Sequence, residues 1–130
     1  MGFEHLLQRI MDSDVNIRHC LAADLDGNIL AVNHRAGVSN FLSEAETAAS
    51  LKRAAAAWKG RNELAPKIGH GLYAVAAFEK ITRITFPLGD SNLLFVSMGS
   101  EQMRHDLHEG GQQQIVQHVL NILSGDPTLE

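Results

Sequence analysis

The chain has 130 residues and a mass of 14.2 kDa, which is one domain's worth, and it needs no disulfide or metal to bury a core. Its net charge of -4 argues against general binding to a phosphate backbone, and aromatics at 5% leave few platforms for stacking bases. The single cysteine, Cys20, excludes an internal disulfide framework and fits a reducing compartment.

Phe3, Leu6, Leu7, Ile10 and Met11 form one apolar stripe at helical spacing, ended by Asp12-Ser13-Asp14. Ile17 to Asp24 then alternates as a strand, and Asn28 to His34 returns as its partner. Between them, Asp26-Gly27 is the preferred pair for a two-residue type I′ turn. Arg35 to Leu42 reads as a loop. Ser43 and Glu46 make a capping box for a long helix to about Lys59 or Asn62, with Ala48, Leu51, Ala55 and Trp58 on its apolar side. Leu64 and Ala65 offer one more turn before Pro66. Ile68 to Gly71 reads as a turn. Leu72–Glu79 and Ile81–Leu88 read as strands broken near Lys80, although alanine and glutamate also permit a helix over 72–80. Pro87 is expected to end the second of these. Leu93 to Met98 is a continuous apolar run, hence a buried central strand. Ile115, Val119, Ile122 and Leu123 are spaced for a final helix, with a break expected at Gly110-Gly111 and a loose tail from Ser124. The expected architecture is an α/β (α+β) two-layer sandwich in the order α-β-β-α-β-β-β-α. It is one domain over 1–123, with a five-stranded antiparallel sheet whose apolar face the helices cover.

The charge is unevenly placed. Residues 1–50 carry -4, residues 51–83 carry +5, and residues 84–130 carry -5. A basic middle in an acidic chain suits a partner-facing patch, beside the plainer reading of a solvated helix face. No apolar run approaches the roughly 20 residues of a membrane span. The N-terminal stretch lacks the pattern of a secretory signal, and Leu6 breaks the myristoylation pattern. A soluble cytoplasmic protein is expected, without membrane or nucleic acid as partner.

The Asp26-Gly27 hairpin, the long helix and the phrase Phe86-Pro87-Leu88-Gly89-Asp90 before the strand Leu93–Met98 together resemble the roadblock / dynein light-chain superfamily, whose domains are profilin-like sandwiches. The resemblance spans about Phe3 to Leu123. Within Ala57 to Leu88 the text is also similar to a group of small archaeal proteins of no known activity, at Ala57-Trp58, Arg61, Leu64-Ala65, Lys67-Ile68-Gly69, Tyr73, Glu79-Lys80-Ile81 and Arg83-Ile84-Thr85. The superfamily resemblance implies a non-enzymatic homodimer in which the long helix and the first meander strand meet their counterparts. Here these are Glu44–Lys59 and Leu72–Glu79, with Leu51, Ala55, Trp58, Tyr73 and Val75 at the interface. It further implies a platform or regulator for a small Ras-like GTPase. Asn62–Gly71 and Gly110-Gly111 depart from the usual pattern of the superfamily.

The residues themselves agree at one point. An alanine-rich helix beside a small-residue strand (Ala74, Ala76, Ala77) permits close self-packing, and pairing across a two-fold axis removes an exposed sheet edge. Lys52, Arg53, Lys59, Arg61 and Lys67 are then the bases offered to an acidic partner.

Enzyme chemistry finds little support. His105 and His108 stand at i, i+3 beside Glu109, but no HExxH, CxxC or further ligand pair accompanies them, so no metal is expected. His19 and Cys20 are strand neighbours on opposite faces and cannot form a nucleophile–base pair. No GxGxxG or GxxxxGK[ST] is present, so no nucleotide cofactor is expected; Gly69-His70-Gly71 beside Lys67 fits a plain turn. Asp24 and Asp26 fit turn geometry. The expectation is a non-catalytic homodimeric adaptor. The alternative is a small-molecule sensing module of the PAS/GAF kind, which requires a cavity larger than about 300 Å³ between sheet and helices.

Overall fold

The computed structural model describes residues 2–38, 40–99 and 111–125. Its apolar alternation and turn clusters give five strands: β1 (Ile17–Asp24), β2 (Ile29–His34), β3 (Ala74–Ala77), β4 (Ile81–Leu88) and β5 (Asn92–Gly99). Among the described residues three helices accompany them: α1 (Glu4–Ser13), α2 (Glu44–Ile68) and α3 (Gly111–Gly125). The strands form one antiparallel sheet in the spatial order β2-β1-β5-β4-β3. The element order is the expected one.

Helices cover the sheet on two sides. On one face, Leu6, Leu7, Ile10 and Met11 of α1 and Ile115, Val116 and Val119 of α3 pack on Cys20, Ala22, Ile84, Phe86, Leu88, Leu94, Val96 and Met98. On the other, Leu51, Ala55 and Trp58 of α2 pack on Leu21, Ala23, Leu93 and Phe95. The three α2 residues recur at i, i+4 and i+7, so they lie on one side of the helix and need a second apolar face. β1 and β5 supply it, because their successive side chains alternate between two buried faces.

The hairpin between β1 and β2 closes differently from expectation. Gly27 alone takes positive φ, at 88°, and no residue other than glycine does so among those described. A type I′ turn needs positive φ at both central positions. The chain instead turns over Leu25, Asp26 and Gly27, with the Gly27 amide donating to the Asp24 carbonyl at 3.1 Å. The Asp24 carboxylate organises this loop by accepting from the Asp26 and Asn28 amides, each at 2.9 Å. Hydrogen bonds from Asn28, first its backbone amide and then its side chain, do most to hold the Asp24 pKa below the usual carboxylate value. Further along the ladder the register slips between Ala22 and Ala23, where Leu30 of β2 is left without a partner as a β-bulge.

α2 begins at the predicted capping box. Ser43 Oγ accepts from the Glu46 amide at 3.1 Å, and the Ser43 amide donates to Glu46 Oε1 at 2.9 Å. The helix runs further than expected, through Gly60 and Pro66 to Ile68. Pro66 lies in the last turn, where its missing N–H removes a single helical bond. Gly69, at φ 93°, ends the helix, and its amide donates to the Ala65 carbonyl at 2.9 Å. β3 is shorter than predicted, since Phe78 to Lys80 make the turn into β4 and the Phe78 amide donates to the Ile81 carbonyl at 2.8 Å. Pro87 stays inside β4 rather than ending it. β3 pairs only as far as Thr85, so at Pro87 one side of β4 is an edge, where proline is tolerated. Gly111 starts α3, and Ser124 belongs to that helix rather than to a tail. Gly110, the pair His105/His108 with Glu109, and residues 126–130 lie outside the described residues.

The predicted loop after β2 opens with an unexpected clamp. The Arg35 guanidinium donates from Nε to the Ile17 carbonyl at 3.0 Å, and from one terminal nitrogen to the Met11 and Asp14 carbonyls, each at 2.8 Å. It thereby satisfies carbonyls at the end of α1 that have no helical partner and pins α1 to the start of β1. Arg35→Ala is expected to cost about 3 kcal/mol in urea unfolding, and Arg35→Lys to recover less than half, because an ammonium cannot reproduce the planar fork. A second backbone constraint lies at Gly71, where an added Cβ would stand 2.6 Å from Trp58 Cζ3. Gly71→Ala is expected to lower stability by about 1–3 kcal/mol in the same measurement.

Candidate functional site

The register of the sheet brings together four polar residues that are scattered in the sequence. His19 pairs with His34 on one side and with Ser97 on the other, and Ser97 pairs with Arg83. The result is a row, His34–His19–Ser97–Arg83, crossing β2, β1, β5 and β4 on the face that carries α2. The two imidazole rings stack with centroids 5.4 Å apart. Ser97 Oγ and His19 Nδ1 share a hydrogen bond of 2.5 Å, and Arg83 donates to Ser50 Oγ of α2 at 2.5 Å.

This row forms part of the floor of an open groove of about 750 Å³ beside the first turn of α2. Ile29, Val32, Phe41, Leu42 and Phe78 make much of its apolar lining, and Arg18, Lys80 and Glu44 bring charge to it. The Arg18 guanidinium lies 5.0 Å from the centre of the Phe41 ring, and Lys80 Nζ lies 6.0 Å from it.

Burial pushes His19 down to about 4, with His34, Arg83 and Arg18 adding repulsion in that order. The imidazole is therefore neutral at pH 7. Burial also lowers the Arg83 pKa. Cys20 points to the opposite face, as expected, where its Sγ donates to the Leu7 carbonyl at 3.6 Å. Burial raises that thiol to about 12, so it is no nucleophile at neutral pH.

The residues singled out in the sequence do not form one site. Leu51, Ala55 and Trp58 are only 1–2% exposed and face the chain's own sheet, so they support α2 from beneath. Trp58 Nε1 also donates to Thr85 Oγ1 at 2.8 Å. Tyr73 and Val75, at 45% and 37% exposure, stay accessible beside and on β3. Among the bases, Lys59 pairs with Asp26 at 3.2 Å, and the Arg61 guanidinium lies 4.9 Å over the Trp58 ring. Lys52, Arg53 and Lys67 are exposed. At 100° per residue these five bases spread around the free sides of α2 instead of sharing one stripe. A second cavity of about 350 Å³ lies beside Trp58 and Asn62, near His70 and Asp90. Among the described residues no group of three His, Cys, Asp or Glu could hold a metal ion, and no helix is long and apolar enough to cross a membrane.

Similar architectures exist among solved structures. The gliding protein MglB from Thermus thermophilus is 15% identical with a TM-score of 0.61, over 95% of this chain and 89% of that one. A Roadblock/LC7 domain from Streptomyces avermitilis is 12% identical with a TM-score of 0.65, over 95% and 93%. MglC from Myxococcus xanthus is 12% identical with a TM-score of 0.57, over 95% and 98%. The fold is that of the Roadblock/LC7 domains. No family model and no curated protein matches the sequence.

The Roadblock/LC7 fold accounts for the sheet and helices but not for the polar row. Positions 19, 34, 83 and 97 share no motif, so no local pattern in the sequence marks the row. The usable signal was a histidine, a serine and an arginine at core-strand positions among apolar neighbours.

The depressed His19 pKa makes a stability prediction. The unfolded chain binds this proton near 6.5 and the folded chain only near 4, so the stabilising contribution is complete above about pH 6.5 and is lost as pH falls toward 4. Between about pH 7.5 and about pH 5, urea unfolding is expected to lose on the order of 2 kcal/mol, and His19→Gln to flatten that slope. Asp24 and Glu46, whose pKa values are also lowered, act below this window.

Proposed function

We propose that the chain is a non-catalytic homodimeric regulatory platform, and that its further partner is a small Ras-like GTPase. The observation that carries this reading is the edge strand β3. Among the described residues it pairs with β4 alone, and no charged residue lies within it. Apolar side chains stand exposed along the same stretch, at Leu64, Ile68, Leu72, Tyr73, Val75 and Phe78. A bare apolar edge templates pairing with another chain, and a two-fold axis at β3 would satisfy both copies at once.

Self-association has a precedent in the fold, since one similar structure is described as MglB in a tetrameric arrangement. That chain is 15% identical, with a TM-score of 0.62 over 93% of this chain and 87% of that one. Under this reading Tyr73 and Val75 lie in the interface, while Leu51, Ala55 and Trp58 hold α2 in position behind it. Lys52, Lys59, Arg61 and Lys67 offer positive charge to an acidic partner surface. The sensing alternative draws on a different feature, the groove at the first turn of α2, whose volume exceeds the required size.

Light scattering at about 10 μM should give a dimer, well within the range of specific protein association. Val75→Lys should convert it to a monomer with little loss of stability, since lysine on an edge strand opposes pairing. A monomeric wild type overturns the dimer reading. A native lysate that yields no small GTPase, with or without added nucleotide, overturns the GTPase reading. Reversing Lys59 and Arg61 to glutamate should weaken a captured GTPase by about tenfold.

A further inference from the structure

The row on the α2 face carries one guanidinium, that of Arg83, which pairs with no carboxylate among the described residues. Arg83 is half-buried, has a neutral hydroxyl as its hydrogen-bond partner, and forms no ion pair among the described residues. Arg18 and Lys80 line the same groove, and Glu44 is the one carboxylate among the lining residues. Burying a guanidinium without a counter-charge is costly unless a ligand provides one. His19 has Nδ1 engaged by Ser97, which leaves Nε2 as the nitrogen for a ligand.

The remaining lining fixes the rest of the ligand. Ile29, Val32, Phe41 and Phe78 are apolar and exposed, which is unfavourable in water and suits an apolar body. A volume of about 750 Å³ takes a small molecule. A metal ion is disfavoured by the surrounding cations.

We infer that the groove binds a small amphiphilic organic anion, with its compact head on Arg83 and His19 and its apolar body against Ile29, Val32, Phe41 and Phe78. This deepens the sensing alternative and is independent of the dimer. The head can be a carboxylate or a phosphate, since the planar guanidinium fork matches either. Binding is linked to pH. An anion beside His19 opposes the repulsion from His34, Arg83 and Arg18, so the imidazole takes up a proton more readily in the complex. Lys80 reinforces the anion's attraction and Glu44 opposes it.

Calorimetric titration of the full chain with octanoate, octyl phosphate and octanol separates the possibilities. At least one anion should bind about tenfold tighter than the alcohol, the size of one charge-assisted hydrogen bond. Its affinity should rise as pH falls from about 7 to about 5, with proton uptake visible as a dependence on buffer ionisation heat. Arg83→Gln should abolish the preference for anion over alcohol. Should that variant not fold, the wild-type comparison of anion with alcohol, and its pH dependence, decide the matter alone. Equal binding of anions and alcohol overturns the anion assignment and leaves the sensing reading standing. No binding of any probe up to about 1 mM overturns both.

Discussion

From Leu93 to Met98 every side chain of β5 is buried, alternately toward α1 with α3 and toward α2. A strand with no solvent face must have layers on both sides and neighbours on both edges. β1 and β4 fill the edges, and the helices fill the faces. Within this strand Ser97 is a polar exception, and its hydroxyl needs a partner once water is excluded. His19 provides one. The bond fixes polar chemistry on an otherwise apolar face, and α2 covers that face only where Leu21, Ala23, Leu93 and Phe95 receive Leu51, Ala55 and Trp58. The groove occupies the part of the face where the polar row runs.

Much of this was legible in the sequence where the causes are local. The capping box at Ser43 and Glu46 acts across three residues, so a short window of sequence contains all of it. The apolar run 93–98 identified the central strand because few other arrangements tolerate it. Local signals mislead where they are weak or ambiguous. Gly60 and Pro66 look like helix breakers, yet α2 continues to Ile68, since a glycine inside a helix costs only about 1 kcal/mol and Pro66 lies in the last turn. Leu51, Ala55 and Trp58 read equally well as an outward interface or an inward face, and only the second buried face of β1 and β5 decides between them. The Arg35 clamp and the polar row depend on residues far apart in the chain, so no window of sequence contains them.

The two edges of the sheet are different in kind. β2 contributes Ile29, Val32 and His34 to the groove, so its exposed side chains already share a surface with α2 and the loop after β2. Among the described residues β3 has no such cover. The polar row ends beside it, since Arg83 pairs with Ala76. An event at β3 and an event at Arg83 thus act on adjacent strands of one rigid sheet.

The strand order also sets a schedule for folding. The hairpin β1–β2 and the pair β3–β4 have no direct ladder between them; β5 alone joins the two. During synthesis the inner edge of β1 therefore stays open until residue 99 has left the ribosome. Closing the sheet then requires β5 to pair with a strand that begins at residue 17, a long-range step of the kind that slows folding. Until that moment the chain carries three unpaired edges besides β3, and unpaired strand edges are the kind of surface through which a partly folded chain aggregates.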